Sequence, residues 1–468
     1  MQLTFWGAAR TVTGSLHVLR LPGGQTVFLD CGLYQGRRAE ARARNLGWPV
    51  SPAEVEAVFL SHAHIDHAGL LPRLWADGFR GPVYCTHATR DLCALMLRDS
   101  AFIQESDAEF FNRKVRRRGE AAIEPLYTVE DAEGAMRRFV SADYGFPLTP
   151  FPGVELVFRD AGHILGSATI TVTAEAGGRT RRLGFTGDLG NPGRPILRDP
   201  EPLPPCDWLL CESTYGGHVH EDAGTSADRL ADVIARTAAR GGRVVVPAFA
   251  VGRTQELIYA LNGLWNENRL PPLPVFVDSP LAVNATEVFR AHPECYDRDL
   301  LELLRTDPDP FGFGRLEYVR EAARSKQLNE LAMPFVVLSA SGMAEAGRIL
   351  HHLRHAVEDP RHTVLIVGFM AEDTLGRRLV ERREEVRIFG QPHRLRAHVE
   401  VLNAFSAHAD QPHLRAFVGA MDRDRLRAVL LVHGEPDRQE ALAAALRADG
   451  VRRVAAPARG ETVNLLSL

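Results

Sequence analysis

Ser61-His62-Ala63-His64-Ile65-Asp66-His67 places three imidazoles and a carboxylate within six positions, directly after the apolar run Val55-Glu56-Ala57-Val58-Phe59-Leu60. That run reads as a buried strand, so the cluster falls on the loop at its C-terminal end, where α/β folds place their sites. In extended chain His62 and His64 project to one side, while Asp66 and His67 open the next helix and turn toward a second point. Imidazole nitrogens with one carboxylate suit a borderline divalent cation such as zinc, and one such motif can serve two of them.

The same residue types recur at other strand ends. Asp30 closes Thr26-Val27-Phe28-Leu29, His163 follows the strand Val154 to Phe158, Asp188 ends Leu183-Gly184-Phe185-Thr186-Gly187, and His433 ends Val429-Leu430-Leu431-Val432. Each has a glycine nearby, which lets backbone approach a ligand closely. Between Asp188 and His433 lies a long stretch with α/β units of its own. Trp208 to Glu212 reads as a strand, and Thr225-Ser226 caps a helix bearing Leu230, Val233 and Ile234. Strands Arg243 to Phe249, Pro274 to Val277, Pro334 to Leu338 and Thr363 to Val367 each lead through a small-residue turn into a helix. Alternating strand and helix implies a parallel sheet covered on both faces. Its turns carry Arg253, Ser279, Ser339, Ser341, Thr374 and Arg377 to one edge, where helix N-termini, hydroxyls and guanidinium groups suit phosphate oxygens.

The strand-end Asp, His-x-His-x-Asp-His, distant His, Asp and late His together resemble the metallo-β-lactamase superfamily. The resemblance implies that His62, His64 and His163 hold one metal, that Asp66, His67 and His433 hold a second, and that Asp188 bridges them. Asp30 would lie behind the ligands and orient them. The expected cofactors are two divalent ions, zinc first and manganese as the alternative, which make water acidic enough to attack near neutral pH. Thioesters, lactams and phosphodiesters are all hydrolysed on this scaffold, so the substrate is left open at this level.

Glu212 in Glu-Ser-Thr-Tyr-Gly, His408 in Phe405-Ser406-Ala407-His408-Ala409-Asp410, and His433 in Leu-Val-His-Gly-Glu resemble motifs A, B and C of the β-CASP nucleases. That family carries a nucleotide-binding domain inserted into the metallo-β-lactamase domain. The nearest subgroup is the endonuclease of pre-mRNA 3′-end processing with its bacterial relatives, and a histidine at motif C accompanies its RNA-cleaving members. The resemblance implies an αββα sandwich over 1–216 and 403–468, and an inserted parallel α/β domain over 217–402. It implies a dimetal ribonuclease acting on single-stranded RNA, endonucleolytic with 5′ to 3′ exonucleolytic trimming left open, since sequence does not separate the two modes. His408, Glu212 and Asp66 would be catalytic, with His408 protonating the departing ribose oxygen and Glu212 raising its basicity. The alternatives are a thioester or lactone metallohydrolase, which has no use for Glu212, His408 and the inserted sheet, and a β-CASP DNA-repair nuclease.

Length and composition agree with two globular α/β domains: 468 residues exceed one ordinary core, and 40 Gly with 29 Pro supply turns without low-complexity tracts. No run is long enough to cross a bilayer and no signal peptide opens the chain, so a cytoplasmic enzyme without membrane contact is expected. Cys31, Cys85, Cys93, Cys206, Cys211 and Cys295 form no Cys-x-x-Cys pair and read as reduced, mostly buried thiols. A net charge of −4 excludes a generic nucleic-acid coat, so RNA contacts must be local. The basic candidates are Arg113 to Arg118, after a helix expected over 101–111, and a surface with Arg377, Arg378, Arg382 and Arg383. The remaining histidines read as surface or hydrogen-bonded structural residues. A homodimer is compatible with the sequence.

Overall fold

A computed structural model describes all residues except 37, 116–121, 221–225, 369, 372 and 403–405. It divides the chain into two compact units, Met1–Val219 with His408–Leu468, and His220–Ala407. The basic run's Arg116, Arg117 and Arg118, the cap residue Thr225, and Phe405 of the His408 motif lie outside the described residues.

The first unit is a sandwich of two seven-stranded sheets. In the first sheet, Thr26–Leu29, Ala57–Phe59, Val83–Thr86 and Phe139–Ala142 run parallel, extended by the antiparallel strands His17–Arg20, Gln2–Phe5 and Thr462–Asn464. In the second, Arg179–Phe185, Trp208–Glu212, Ala428–Val432 and Val454–Ala455 are parallel, while Leu148–Phe151, Val154–Asp160 and Ala168–Ala176 complete an antiparallel half. Alternation fixes which side chains meet. Leu29, Phe59 and Phe5 from one sheet pack on Phe158, Ile170, Phe185, Trp208 and Leu430 from the other. Leu209, Cys211, Val429 and Leu431 face outward and are covered by helices Gln411–Gly419 and Pro436–Ala448 through Leu414, Val418, Leu442 and Leu446. Helix His87–Val115 packs on strands Val83–Thr86 and Phe139–Ala142 of the first sheet, which gives αββα layering. It runs well beyond the 101–111 expected, because Leu92, Cys93, Leu97 and Ala101 bury a continuous face before Ala108.

The second unit contains a six-stranded, all-parallel sheet ordered 316–318, 275–277, 336–339, 244–247, 363–366, 398–401. Its strands are short; the four central ones are wholly buried, as a sheet covered on both faces requires, while the edge strands 316–318 and 398–401 are partly exposed. The strand expected to reach Phe249 stops at Pro247, and Phe249 is about half exposed in the turn that follows. Helix Arg253–Asn266 buries Leu257, Leu261 and Leu264 as the heptad-like spacing predicts. All six cysteines are buried and none is in a disulfide. No described helix is long and apolar enough to cross a membrane.

Candidate metal centre

Strands Thr26–Leu29 and Ala57–Phe59 end side by side, as do Arg179–Phe185, Trp208–Glu212 and Ala428–Val432. Their C-terminal ends deliver Asp30, the 62–67 loop, Asp188, Glu212 and His433, and Val154–Asp160, which runs in the same direction as Arg179–Phe185, adds His163. Helix Ile65–Ala68 starts inside the motif, so Asp66 and His67 leave the extended line of His62 and His64. Gly32 is required by close approach: a Cβ there would lie 1.7 Å from the Asp66 carbonyl oxygen. Asp30 and His433 both take left-handed backbone, with φ of 59° and 49°, a conformation that side-chain contacts must hold in place.

Those contacts are present. Buried Asp30 accepts from the Ser61 amide at 2.8 Å, from the Ser15 and Ser61 hydroxyls at 3.0 Å, and from His67 Nδ1 at 2.7 Å. The last bond turns His67 Nε2 to the interior of the site. Thr214 Oγ1 lies 3.1 Å from His433 Nδ1 and donates to the His433 carbonyl, and the His433 amide donates to Ala8 O.

His62 Nε2 lies 3.1 Å from His64 Nδ1, which lies 3.2 Å from His163 Nε2, and Asp188 Oδ2 is 3.5 Å from both His62 Nε2 and His163 Nε2. Ligands held about 2.0–2.1 Å from a tetrahedral ion stand about 3.3 Å apart, so these residues fit a divalent cation. A second group forms alongside: His67 Nε2 is 3.1 Å from His433 Nε2 and 3.3 Å from Asp188 Oδ1, and His433 Nε2 is 3.4 Å from Asp66 Oδ2. Asp188 thus turns one oxygen to each group, and its buried Oδ1 accepts no hydrogen bond among the described residues. An acceptor left so is costly unless a cation meets it.

The electrostatics agree. Burial pushes His64 down to about 4 and His62 well below the usual imidazole range, against the pull of nearby carboxylates, so both are neutral and carry lone pairs at pH 7. Burial opposes charge on His67 too, yet Asp188 and Asp30 hold it well above that range. Surplus negative charge at this point calls for a cation. Beside the cluster, Glu212 is fully buried; its Oε1 accepts from the Leu189 amide at 2.7 Å and from His408 Nδ1 at 3.1 Å. Burial works against a charged His408, but Glu212 and Asp188 outweigh it and raise the pKa to about 9.

The structure therefore brings together His62, His64, Asp66, His67, His163, Asp188, His433, Asp30, Glu212 and His408. Arg253, Ser279, Ser339, Ser341, Thr374 and Arg377 sit in the other unit, at the C-terminal ends of four consecutive strands of its parallel sheet. Their polar atoms have internal partners there. Ser279 and Thr374 cap helices, Ser339 donates to Asp278 O, Ser341 accepts from the amides of Glu345 and Ala346, Arg253 pairs with Glu256, and Arg377 pairs with Glu381. Sequence reading passed over Ser15, Thr214 as a partner of His433, and Thr186, whose hydroxyl accepts the Glu212 amide. Only the Gly-Ser and Ser-Thr pairing beside glycine or a ligand hinted at them. His17, expected to be surface or hydrogen-bonded, is buried between Phe5 and Phe185 with neither ring nitrogen hydrogen-bonded among the described residues, and burial lowers its pKa to about 3.

Comparison with known families matches residues 12–216 to the metallo-beta-lactamase superfamily, 254–379 to the Beta-Casp domain, and 392–457 to the Zn-dependent metallo-hydrolase RNA specificity domain. Ribonuclease TTHA0252 of Thermus thermophilus is 37% identical over 442 residues, covering 94% of this chain and 95% of its own. Transcription termination factor FttA of Methanothermobacter thermautotrophicus is 30% identical over 448 residues, covering 93% of this chain and 67% of its own length. The FttA of Pyrococcus abyssi is 31% identical over 424 residues, covering 88% and 62%.

Proposed function

The chain belongs to the β-CASP ribonucleases of the metallo-β-lactamase superfamily, and from that premise we propose that it is a metal-dependent ribonuclease hydrolysing single-stranded RNA at a two-cation centre. His62, His64, His163 and Asp188 would hold one ion, and Asp66, His67, His433 and Asp188 the other. Zinc suits this donor set best, and manganese accepts the same ligands. When bound, divalent ions here supply Lewis acidity, making water a better nucleophile and withdrawing charge from a phosphodiester.

The chain's own residues do the rest. Asp30 and Thr214 fix the two imidazoles that must present Nε2. Hydrolysis breaks a phosphorus–oxygen bond and leaves negative charge on a ribose oxygen, which needs a proton. His408 is the donor: Glu212 takes its Nδ1, so the proton passes from Nε2. The observation that carries the reading is this pair of buried Glu212 and partly exposed His408 beside the candidate cation site, since a thioester or lactone hydrolase needs no separate acid so placed. The identity with a ribonuclease along nearly the whole chain supports RNA as the polymer. Neither the small-molecule hydrolase nor the DNA-repair nuclease is favoured.

Metal-loaded protein incubated with 5′-labelled, 3′-labelled and circular RNA of one sequence tests it. Metal-dependent loss of full-length RNA is expected. Circular RNA that is cut assigns endonucleolytic action, and successive trimming from the 5′ end assigns the exonucleolytic mode. Intact RNA in every case, with turnover of a thioester, overturns the reading.

A further inference from the structure

The chain that leaves Asp188 runs through residues 189–201 and meets two neighbours of the site in turn. At its start the Leu189 carbonyl accepts the Ala409 amide at 2.7 Å, and Gly190 pairs with His408 as an isolated antiparallel bridge. Asn191 Oδ1 then accepts the Asp410 amide at 3.2 Å. Three consecutive residues thus fasten the loop that carries His408.

The same segment grips the turn that carries His163, and does so from two sides. The Gly190 amide donates to Ala161 O at 2.8 Å, and a Cβ on Gly190 would lie 1.7 Å from the Gly162 carbonyl oxygen. Further along, the chain returns to that turn: the Glu201 amide donates to Asp160 O at 2.8 Å, and a Cβ on Gly162 would lie 2.7 Å from Arg198 O. Arg198 closes this end. Its Nε stands 3.7 Å from Oδ2 of buried Asp160, and its guanidinium carbon lies 5.7 Å from the centre of the Tyr144 ring, whose hydroxyl donates to Ser167 O at 2.9 Å. Ser167 Oγ accepts the His163 amide at 3.0 Å, so Arg198 engages both ends of the turn. Burial, with Glu201 adding to it, pushes the Asp160 carboxyl up to about 7 against the Gly162 amide and Arg198, so the pair is charged at pH 8. Between the two ends, Ile196 is buried with φ of 82°, a conformation that a β-branched residue keeps only where surrounding contacts over-determine it.

His163 and His408 pack with ring centroids 4.5 Å apart, so a shift of either turn or loop changes their register. We propose that residues 189–201 act as a strap that holds the His163 turn and the His408 loop in fixed register, with Arg198 on Asp160 and Asn191 as positioning residues at its two ends. None of the three belongs to the candidate ligand groups. The His408 arm rests on the ribonuclease reading, whereas the His163 arm rests on the ligand cluster alone.

The two ends should leave different signatures. Zinc retention against a chromophoric chelator, and kcat and KM on unstructured RNA, are measured at pH 8 for wild type and variants. Arg198→Ala and Asp160→Asn should weaken retention of one zinc by about tenfold or more and lower kcat by a similar factor with KM unchanged, the scale of losing a group behind a metal ligand. Arg198→Lys, which keeps the cation, should recover most of both. Asn191→Ala should retain zinc as wild type does and lower kcat by about tenfold, a deficit that shrinks on a substrate whose leaving group needs no proton. Wild-type zinc retention and kcat in all these variants, with only lower melting temperatures, overturn the strap. Equal loss of zinc in Asn191→Ala and Arg198→Ala overturns the division between its ends. If wild-type protein cuts no RNA, the ribonuclease reading fails; weaker zinc retention in Arg198→Ala then still upholds the His163 arm, and unchanged retention overturns it.

Discussion

His433 illustrates how one side chain depends on its surroundings. Its ring reaches the site only because the strand Ala428–Val432 ends there, its backbone turns into left-handed space, and Thr214 engages its Nδ1. We expect His433→Ala to lose one equivalent of metal by elemental analysis and nearly all RNA cleavage, with the fold intact by circular dichroism; retention of all metal would remove it from the ligand set. His408→Ala should behave differently. Metal content and RNA binding should be kept while cleavage slows by roughly 10²–10⁴-fold, and a substrate whose leaving group needs no proton should recover most of the rate. Equal turnover of wild type and variant on natural RNA would end the general-acid role. The ligand types were legible in sequence because His and Asp at glycine-flanked strand ends are chemically conspicuous. Ser15 was not, because its bond to Asp30 exists only once the hairpin of His17–Arg20 and Thr26–Leu29 has folded it over.

At the scale of elements, the apolar runs located the strands, and the lengths were set by partners. Thr26–Leu29 falls where the run predicted it, whereas the strand from 244 ends at Pro247. The same logic governs the turns of the inserted sheet. Sequence showed hydroxyls and guanidinium groups at strand ends; it could not show that Ser339, Thr374 and Arg253 have internal partners. Arg253→Ala separates the two roles: a phosphate contact predicts weaker RNA binding and a shallower dependence of affinity on salt, with metal content unchanged, whereas a structural role predicts only a lower melting temperature. Asp278, at the end of strand Val275–Val277, is fully buried and accepts hydrogen bonds from three side chains. Burial would raise its pKa, but hydrogen bonds from His352, Ser325 and Arg348 hold it below the usual carboxylate range. A depressed folded pKa stabilises the fold above the unfolded value near ~3.9 and is lost as pH falls through the folded one. Asp278→Ala, leaving Arg348, His352 and Ser325 without their shared acceptor, should cost about 3–5 kcal/mol in unfolding experiments at pH 7 and should narrow its deficit below about pH 4. An unchanged melting temperature would show that the cluster does not support this unit.

For the whole molecule, charge and chemistry pull toward one polymer form. With a net charge of −4 the protein has no long-range attraction for nucleic acid, so duplexes gain little from non-specific contact and recognition falls to a few local groups. The proposed proton donor, His408, is partly exposed and the side chains that would hold cations are mostly buried, so under the proposed function the scissile phosphate must be brought to them on a flexible strand. A paired stem holds its backbone in helical geometry and cannot comply without unpairing, which costs energy at every step. Single strands comply readily, and the ribose 2′-hydroxyl offers a donor and acceptor that DNA lacks. We therefore expect rapid cleavage of unstructured RNA, slower cleavage of a hairpin stem, and little action on DNA of the same sequence, with rates falling only gently as salt rises. Denaturing gels of end-labelled substrates at two salt concentrations decide the matter. Equal rates on RNA and DNA would mean that the polymer is chosen by strand flexibility alone, and the 2′-hydroxyl would have no part in recognition.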